Sequence, residues 1–157
     1  MKKHVVVTGG AGFIGSHLVD ALVERGFKVH VIDNLSAGKK ENINKKAVLH
    51  VADIRNLKDI APIIKGADCV FHLAALPRVQ YSIENPEETH EINITGTLNV
   101  LLAAKDGGVC RVIYSASSSA YGDQKKMPLC ENMIATPKSP YGLQKYAGEL
   151  YCKLFSD

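Results

Sequence analysis

Tryptophan is absent from the sequence, and aromatic residues make up only 6% of its 157 positions. Its 19 basic residues outnumber 16 acidic ones but are dispersed, the longest purely basic runs being the pairs Lys2-Lys3, Lys39-Lys40, Lys45-Lys46 and Lys125-Lys126. A nucleic-acid surface needs clustered basic residues with aromatics among them, so nucleic acid is excluded as a partner. The four cysteines stand 41, 20 and 22 residues apart with no CxxC pair, which excludes a zinc site and offers no disulfide framework. No metal is expected. Cys69 and Cys110 fall inside apolar runs and are expected as buried free thiols of a reducing compartment. No apolar stretch is long enough to span a membrane. The basic-then-apolar start, Met1-Lys2-Lys3-His4-Val5-Val6-Val7, stops at Thr8-Gly9-Gly10, too short for an export signal. A cytoplasmic protein is therefore expected, which leaves the glycosylation-type triplet Asn93-Ile94-Thr95 without use.

What is present is an ordinary globular composition, 46% hydrophobic and 22% charged with a formal charge of +3, in a length suited to one domain over 1–157. Short β-branched runs alternate with helical patterns. Strands are expected at His4–Thr8, Lys28–Asp33, Ala47–Ala52, Asp68–Leu73 and Cys110–Ser115. Helices are expected at Phe13–Arg25, where Gly26 ends the first one, and at Leu57–Lys65. A third begins at Asn85-Pro86, with Asn85 as capping side chain and Glu87 and Glu88 on the positive end of the dipole, and runs to about Ala104. A polar connection over Ala116–Lys138 precedes a last helix opened by Ser139-Pro140. Such alternation implies an α/β fold, a doubly wound parallel sheet of Rossmann type ordered 3-2-1-4-5, with a ligand at the carboxyl ends of the strands where the order reverses.

The turn after the first strand reads Thr8-Gly9-Gly10-Ala11-Gly12-Phe13-Ile14-Gly15. Glycines at 9, 12 and 15 allow a tight turn, close approach to a pyrophosphate, and contact of helix with strand. The free N–H groups of the following helix then face the phosphates. Asp33 ends the second strand 18 residues beyond Gly15, where a carboxylate accepts from adenosine ribose hydroxyls. No arginine follows it to receive a 2′-phosphate, so the expected cofactor is NAD rather than NADP. Asp53-Ile54, just after the third strand, is placed to meet the adenine.

Tyr141 and Lys145 are four residues apart on the last helix and share a face. A phenol with its usual pKa of about 10 is a weak base at neutral pH. A neighbouring ammonium and the positive end of a helix both favour the phenolate. The hydroxyl run Ser115-Ala116-Ser117-Ser118-Ser119 lies at the same sheet edge, and a serine there can align a substrate hydroxyl for proton transfer. Ser117, Tyr141 and Lys145 are the candidate catalytic residues.

With these motifs in order (TGGAGFIGSHL at 8–18, HLAA at 72–75, NITGTLNVL at 93–101, SASSSAYG at 115–122 and SPYGLQK at 139–145), the chain resembles the extended short-chain dehydrogenase/reductases, in their NAD-dependent epimerase/dehydratase branch. The resemblance implies cofactor contacts at Gly9, Gly12, Phe13, Ile14, Gly15, Asp33, Asn34, Asp53, Ile54, Leu73, Ala74, Ala75, Asn93 and Ser115. It also implies that Lys145 bonds the nicotinamide ribose while Tyr141 serves as the base, and that Ser117 and Ser118 face substrate. Where related 4,6-dehydratases typically carry an Asp–Glu pair after the catalytic Ser/Thr, this chain has Ser118 and Ser119. Losing that acid and base removes elimination and favours C4 epimerisation of a UDP-hexose through a 4-keto intermediate.

Family members run to about twice this length, and the sixth strand and the smaller C-terminal substrate domain have no counterpart in residues 1–157. Little or no epimerase activity is therefore expected of these residues alone. The alternatives are a non-catalytic NAD-binding and dimerisation module, or another nucleotide-sugar dehydratase or reductase of the family. The helices at 86–104 and 140–157 are the ones that the resemblance implies would pair in a homodimer.

Overall fold

A run of three valines at 5–7 can be buried only if both faces of its strand are covered, since successive side chains leave on opposite sides. All three are buried in the computed structural model, which describes residues 3–157. They lie in β1 (His4–Thr8), the central strand of a five-stranded parallel sheet. β2 (Lys28–Asp33), β3 (Val48–Val51), β4 (Cys69–His72) and β5 (Val112–Tyr114) complete it in the order β3-β2-β1-β4-β5. The order reverses between β1 and β4, so the segments after these two strands flank a crevice.

The described residues form six α-helices: α1 (Phe13–Glu24), α2 (Leu57–Ile64), α3 (Val79–Glu84), α4 (Pro86–His90), α5 (Gly96–Asp106) and α6 (Pro140–Ser156), of which α3 and α4 pack against α6 rather than on the sheet. On one face Val5, Val7, Val29 and Val31 pack against Val19 and Leu22 of α1. On the other Val6, Ile32 and Val70 pack against Ile60 and Ile64 of α2 and Val100 of α5. Each such side chain contributes about 1.5–3 kcal/mol when taken from water, so the two layers hold the strand ends that build the crevice.

The expected elements are present with some corrections. α1 stops at Glu24, with Arg25 as cap and Gly26 at φ +84° immediately beyond, the left-handed position glycine tolerates. β5 is three residues long rather than six: Cys110, Arg111 and Ser115 lie outside it, all three exposed. Cys110 is thus not a buried thiol, and Cys69 is half-buried. The third expected helix is interrupted: α4 passes through a π-helical turn, Glu91–Thr95, into α5. Asn85 does not cap it. Its side-chain amide instead donates to the Tyr81 carbonyl at 3.4 Å, because α3, unexpected from the sequence, ends there. Ser139 does cap α6, accepting from the Gly142 N–H at 3.1 Å.

Candidate cofactor and catalytic site

The glycine turn is shaped by what it touches. Gly9 has φ +72°, and a Cβ there would lie 2.7 Å from the Ala74 nitrogen, so the loops after β1 and β4 meet without room for a side chain. A Cβ on Gly15 would run into the Gly9 carbonyl and lie 2.7 Å from the Gly10 Cα, so glycine is what allows α1 to start against the turn. α1 opens at Gly12 with no side-chain cap and no acidic residue in its first turn. Its first N–H groups and the positive dipole end are thereby left for an anion.

Asp33 anchors this turn. One carboxylate oxygen accepts from the Ala11 N–H at 2.9 Å and the other from the Leu35 N–H at 2.8 Å. Each oxygen keeps a further lone pair for a hydroxyl donor. Asp53 is clasped by Arg55, which donates at 3.0 and 2.8 Å, and by the Asn34 amide at 2.9 Å. The Arg55 side chain is the main reason its carboxyl is held down at about 2, against the opposing effect of partial burial.

Between these residues runs a groove of about 400 Å³. It is lined by Gly9, Gly12, Phe13, Ile14, Gly15, Asp33, Asn34, Asp53, Ile54, Leu73, Ala74, Ala75 and Ser115, all named from the sequence. Phe13 and Ile14 are 80% and 66% exposed at its lip, large apolar side chains left open to an occupant. Residues not singled out from the sequence also line it: Ile32, Ser36, Ala37, Gly38, Ala52, Leu76, Pro77 and Ile92. The stretch Ser36-Ala37-Gly38 carried a signal, small turn-forming residues that begin three positions after Asp33. Its loop is pinned to the glycine turn by the Lys39 N–H and the Asn42 amide, which donate to the Ala11 carbonyl at 3.1 and 3.0 Å.

Asn93, Ser117, Ser118, Tyr141 and Lys145 do not line the groove. The Asn93 side chain is 1% exposed behind the wall; it accepts from the Leu76 N–H at 2.8 Å and donates to the Gln144 side chain at 2.9 Å. Ser117 begins a short turn, Ser118–Ala120, and its hydroxyl accepts from the Ser119 N–H at 3.2 Å. α6 packs on that turn, where a Cβ at Gly142 would lie 2.5 Å from the Ser119 carbonyl. Tyr141 and Lys145 sit one turn apart on the buried side of α6, Lys145 being only 3% exposed. Its Nζ lies 4.2 Å from the centre of the Tyr114 ring, and Tyr114 directly precedes the groove residue Ser115. Burial brings the Lys145 ammonium down from 10.5 to about 8.

Beneath the groove runs a buried hydrogen-bond chain. Thr97 Oγ1 donates to the Asn93 carbonyl at 2.7 Å, so it accepts from His72 Nε2 at 3.0 Å. His72 Nδ1 is then the acceptor for Thr8 Oγ1 at 2.6 Å, and Thr8 in turn accepts from the Ala74 N–H at 3.2 Å. Every polar atom is used with His72 neutral; burial, then the charge of Lys145, hold its pKa down at about 3.

An uncapped helix start behind three glycines and a ribose-ready carboxylate at a topological switch point define a dinucleotide-binding domain. The buried Tyr–Lys pair beside it narrows the class to a short-chain dehydrogenase/reductase. The signature of the NAD dependent epimerase/dehydratase family matches residues 5–157, and the chain belongs to that family. A UDP-glucose 4-epimerase of Streptomyces lividans is 35% identical over 150 residues, 94% of this chain and 46% of that protein. Among solved structures, the UDP-N-acetylglucosamine 4-epimerase of Methanobrevibacter ruminantium, in complex with UDP-N-acetylmuramic acid, superposes with a TM-score of 0.93 at 46% identity, over 99% of this chain and 51% of that one. The UDP-glucose 4-epimerase of Thermus thermophilus in complex with NAD gives 0.91 at 37% identity, over 98% and 50%. The chain spans about half the length of the curated relatives it matches. The family's cofactor, NAD, fits the cradle that the glycines, Asp33 and Asp53 form. No helix among the described residues is long and apolar enough to cross a membrane.

Proposed function

We propose that this chain carries the cofactor site and the reacting Ser117, Tyr141 and Lys145 of a UDP-hexose 4-epimerase. The observation that carries the reading is the burial of Tyr141 and Lys145 together on α6, with Lys145 seated on the residue that leads into the groove at Ser115. The first N–H groups of α1 would hold the pyrophosphate, Asp33 the adenosine ribose, and Asp53 with Ile54 the adenine. NAD, when bound, supplies a reversible oxidant for C4 of the sugar. Tyr141 takes the C4 hydroxyl proton, and Lys145 bonds the nicotinamide ribose. Ser117 aligns the hydroxyl, and Ser118 lies beside it. With hydroxyls and no carboxylates at 118 and 119, proton removal from C5 has no base, so the 4-keto sugar can only be returned at C4.

The remaining contacts to UDP and sugar would come from the length of the relatives that these 157 residues do not match. Replacing Tyr141 by Phe is expected to abolish UDP-hexose interconversion in the protein at its natural length while NAD stays bound. Unchanged turnover would end the proposal. Self-association through the helices at 86–104 and 140–157 is favoured by Leu143, Leu150 and Leu154, which α6 leaves exposed. Sedimentation of a Leu150→Glu, Leu154→Glu variant against the parent tests it.

A further inference from the structure

Lys145 presents a problem of charge. Its side chain is 3% exposed, yet the ion pairs among the described residues are Arg55–Asp53 and Lys138–Asp123, neither of which involves it. A buried ammonium without a carboxylate tends to give up its proton. Set against it is the face of Tyr114: Nζ lies 4.2 Å from the ring centre, inside the roughly 6 Å over which a ring quadrupole attracts a cation.

The Tyr114 ring has little freedom to be elsewhere. From β4, His72 lies against it with ring centres 5.5 Å apart. From α6, a Cβ on Gly148 would collide with the Tyr114 hydroxyl and lie 2.7 Å from its Cζ, so glycine leaves the space the phenol fills. The hydroxyl also stands 3.4 Å from the backbone carbonyl of Lys145, a long hydrogen bond to the residue whose side chain the ring supports. Ring and lysine thus locate each other, one on β5 and the other on α6.

We propose that Tyr114 is a positioning residue for Lys145, its ring face keeping the ammonium charged and fixing where it projects beside the groove. The proposal rests on the role given to Lys145 above. The titratable groups around the pair are His72 from β4 and Tyr141, Glu149 and Cys152 from α6. His72 stays neutral at physiological pH, with a pKa of about 3. Cys152 favours the ammonium, while burial, the larger effect, opposes it. The ring works in the same direction as Cys152 and needs no titration of its own, since burial pushes the Tyr114 phenol up, out of the working range.

The test is a direct titration of Lys145 in the 157-residue chain, following the side-chain carbon resonances of labelled lysines, with Lys145→Arg for assignment. Three rings at position 114 are compared: tyrosine, phenylalanine (Tyr114→Phe) and 3,4,5-trifluorophenylalanine, which keeps the shape and removes the negative face. Phenylalanine is expected to leave the Lys145 midpoint within about 0.3 pH unit of the parent, and the fluorinated ring to lower it by about one pH unit. Equal midpoints for phenylalanine and its fluorinated form would overturn the proposal, because a ring that only fills space does not distinguish them. NAD titration of the same samples separates the two readings. Failure to bind NAD counts against the cofactor site, while the Lys145 midpoints decide the role of Tyr114 either way.

Discussion

Replacing Thr8 by valine keeps the volume of the side chain and deletes one hydroxyl, yet its effect should be large. That hydroxyl donates to His72 Nδ1 at 2.6 Å and accepts from the Ala74 N–H at 3.2 Å. Thr8 is 0% and His72 1% exposed, so the stranded imidazole nitrogen finds no water. The Ala74 N–H, at the partly open edge of the groove, is the cheaper loss. At about 1–3 kcal/mol per stranded buried group, with Ala74 at the low end, the sum is about 2–4 kcal/mol. Thr8→Ser keeps both hydrogen bonds and loses a methyl group, costing about 1 kcal/mol. Against a total stability on the order of 5–15 kcal/mol the difference is easily measured. In a chain of this size the valine variant should melt roughly 10 °C below the parent and the serine variant roughly 3 °C below. Urea unfolding of the three proteins gives the order Thr, Ser, Val. A valine variant as stable as the serine one would refute the hydrogen-bond chain and leave packing as the sole role of Thr8.

The seat of Tyr114 makes Gly148→Ala costly, by about 1–3 kcal/mol, because the new methyl meets the phenol. In a Tyr114→Phe background the closest contact is gone, so a double-mutant cycle on thermal melts should show a smaller penalty; equal penalties would count against the seat. Lys145 has a folded pKa of about 8 against 10.5 unfolded, so between these pH values the unfolded chain binds more protons and stability rises with pH. Lys145→Met lacks this titration and at neutral pH should be more stable than the parent by up to about 3 kcal/mol, the gap closing as the pH approaches 10.5. Parallel unfolding curves for the two proteins across that range would contradict it.

Much of the architecture was readable because the β-branched runs are short and each is followed by a helical pattern, which forces crossovers and a parallel sheet; the order β3-β2-β1-β4-β5 is the Rossmann one that the glycine turn and Asp33 point to. What escaped depends on contacts between distant positions. α3 has six residues and no apolar repeat; its Ser82 hydroxyl accepts from the Tyr141 N–H at 3.0 Å, a partner no local pattern announces. Once α3 exists, Asn85 bonds its last turn rather than capping the next helix. The glycines and Asp33 could be named in advance because a phosphate-binding turn needs them at fixed offsets. Asn93 could be named as well, but not that its amide would be spent on Leu76 and Gln144, and Tyr114 could not, since its cation comes from 31 residues further along.

The central claim is that these residues form a site for NAD. Calorimetric titration of the 157-residue chain with NAD and with NADP tests it most directly, with Asp33→Asn as the comparison. NAD is expected to bind and NADP to bind more weakly, since the ribose contact proposed for Asp33 would set its carboxylate against a 2′-phosphate. Asp33→Asn is expected to lose about ten- to a hundredfold in NAD affinity, as one charged acceptor is removed from the ribose. Absence of NAD binding by a folded chain, or equal binding of the two cofactors insensitive to Asp33, would contradict the account.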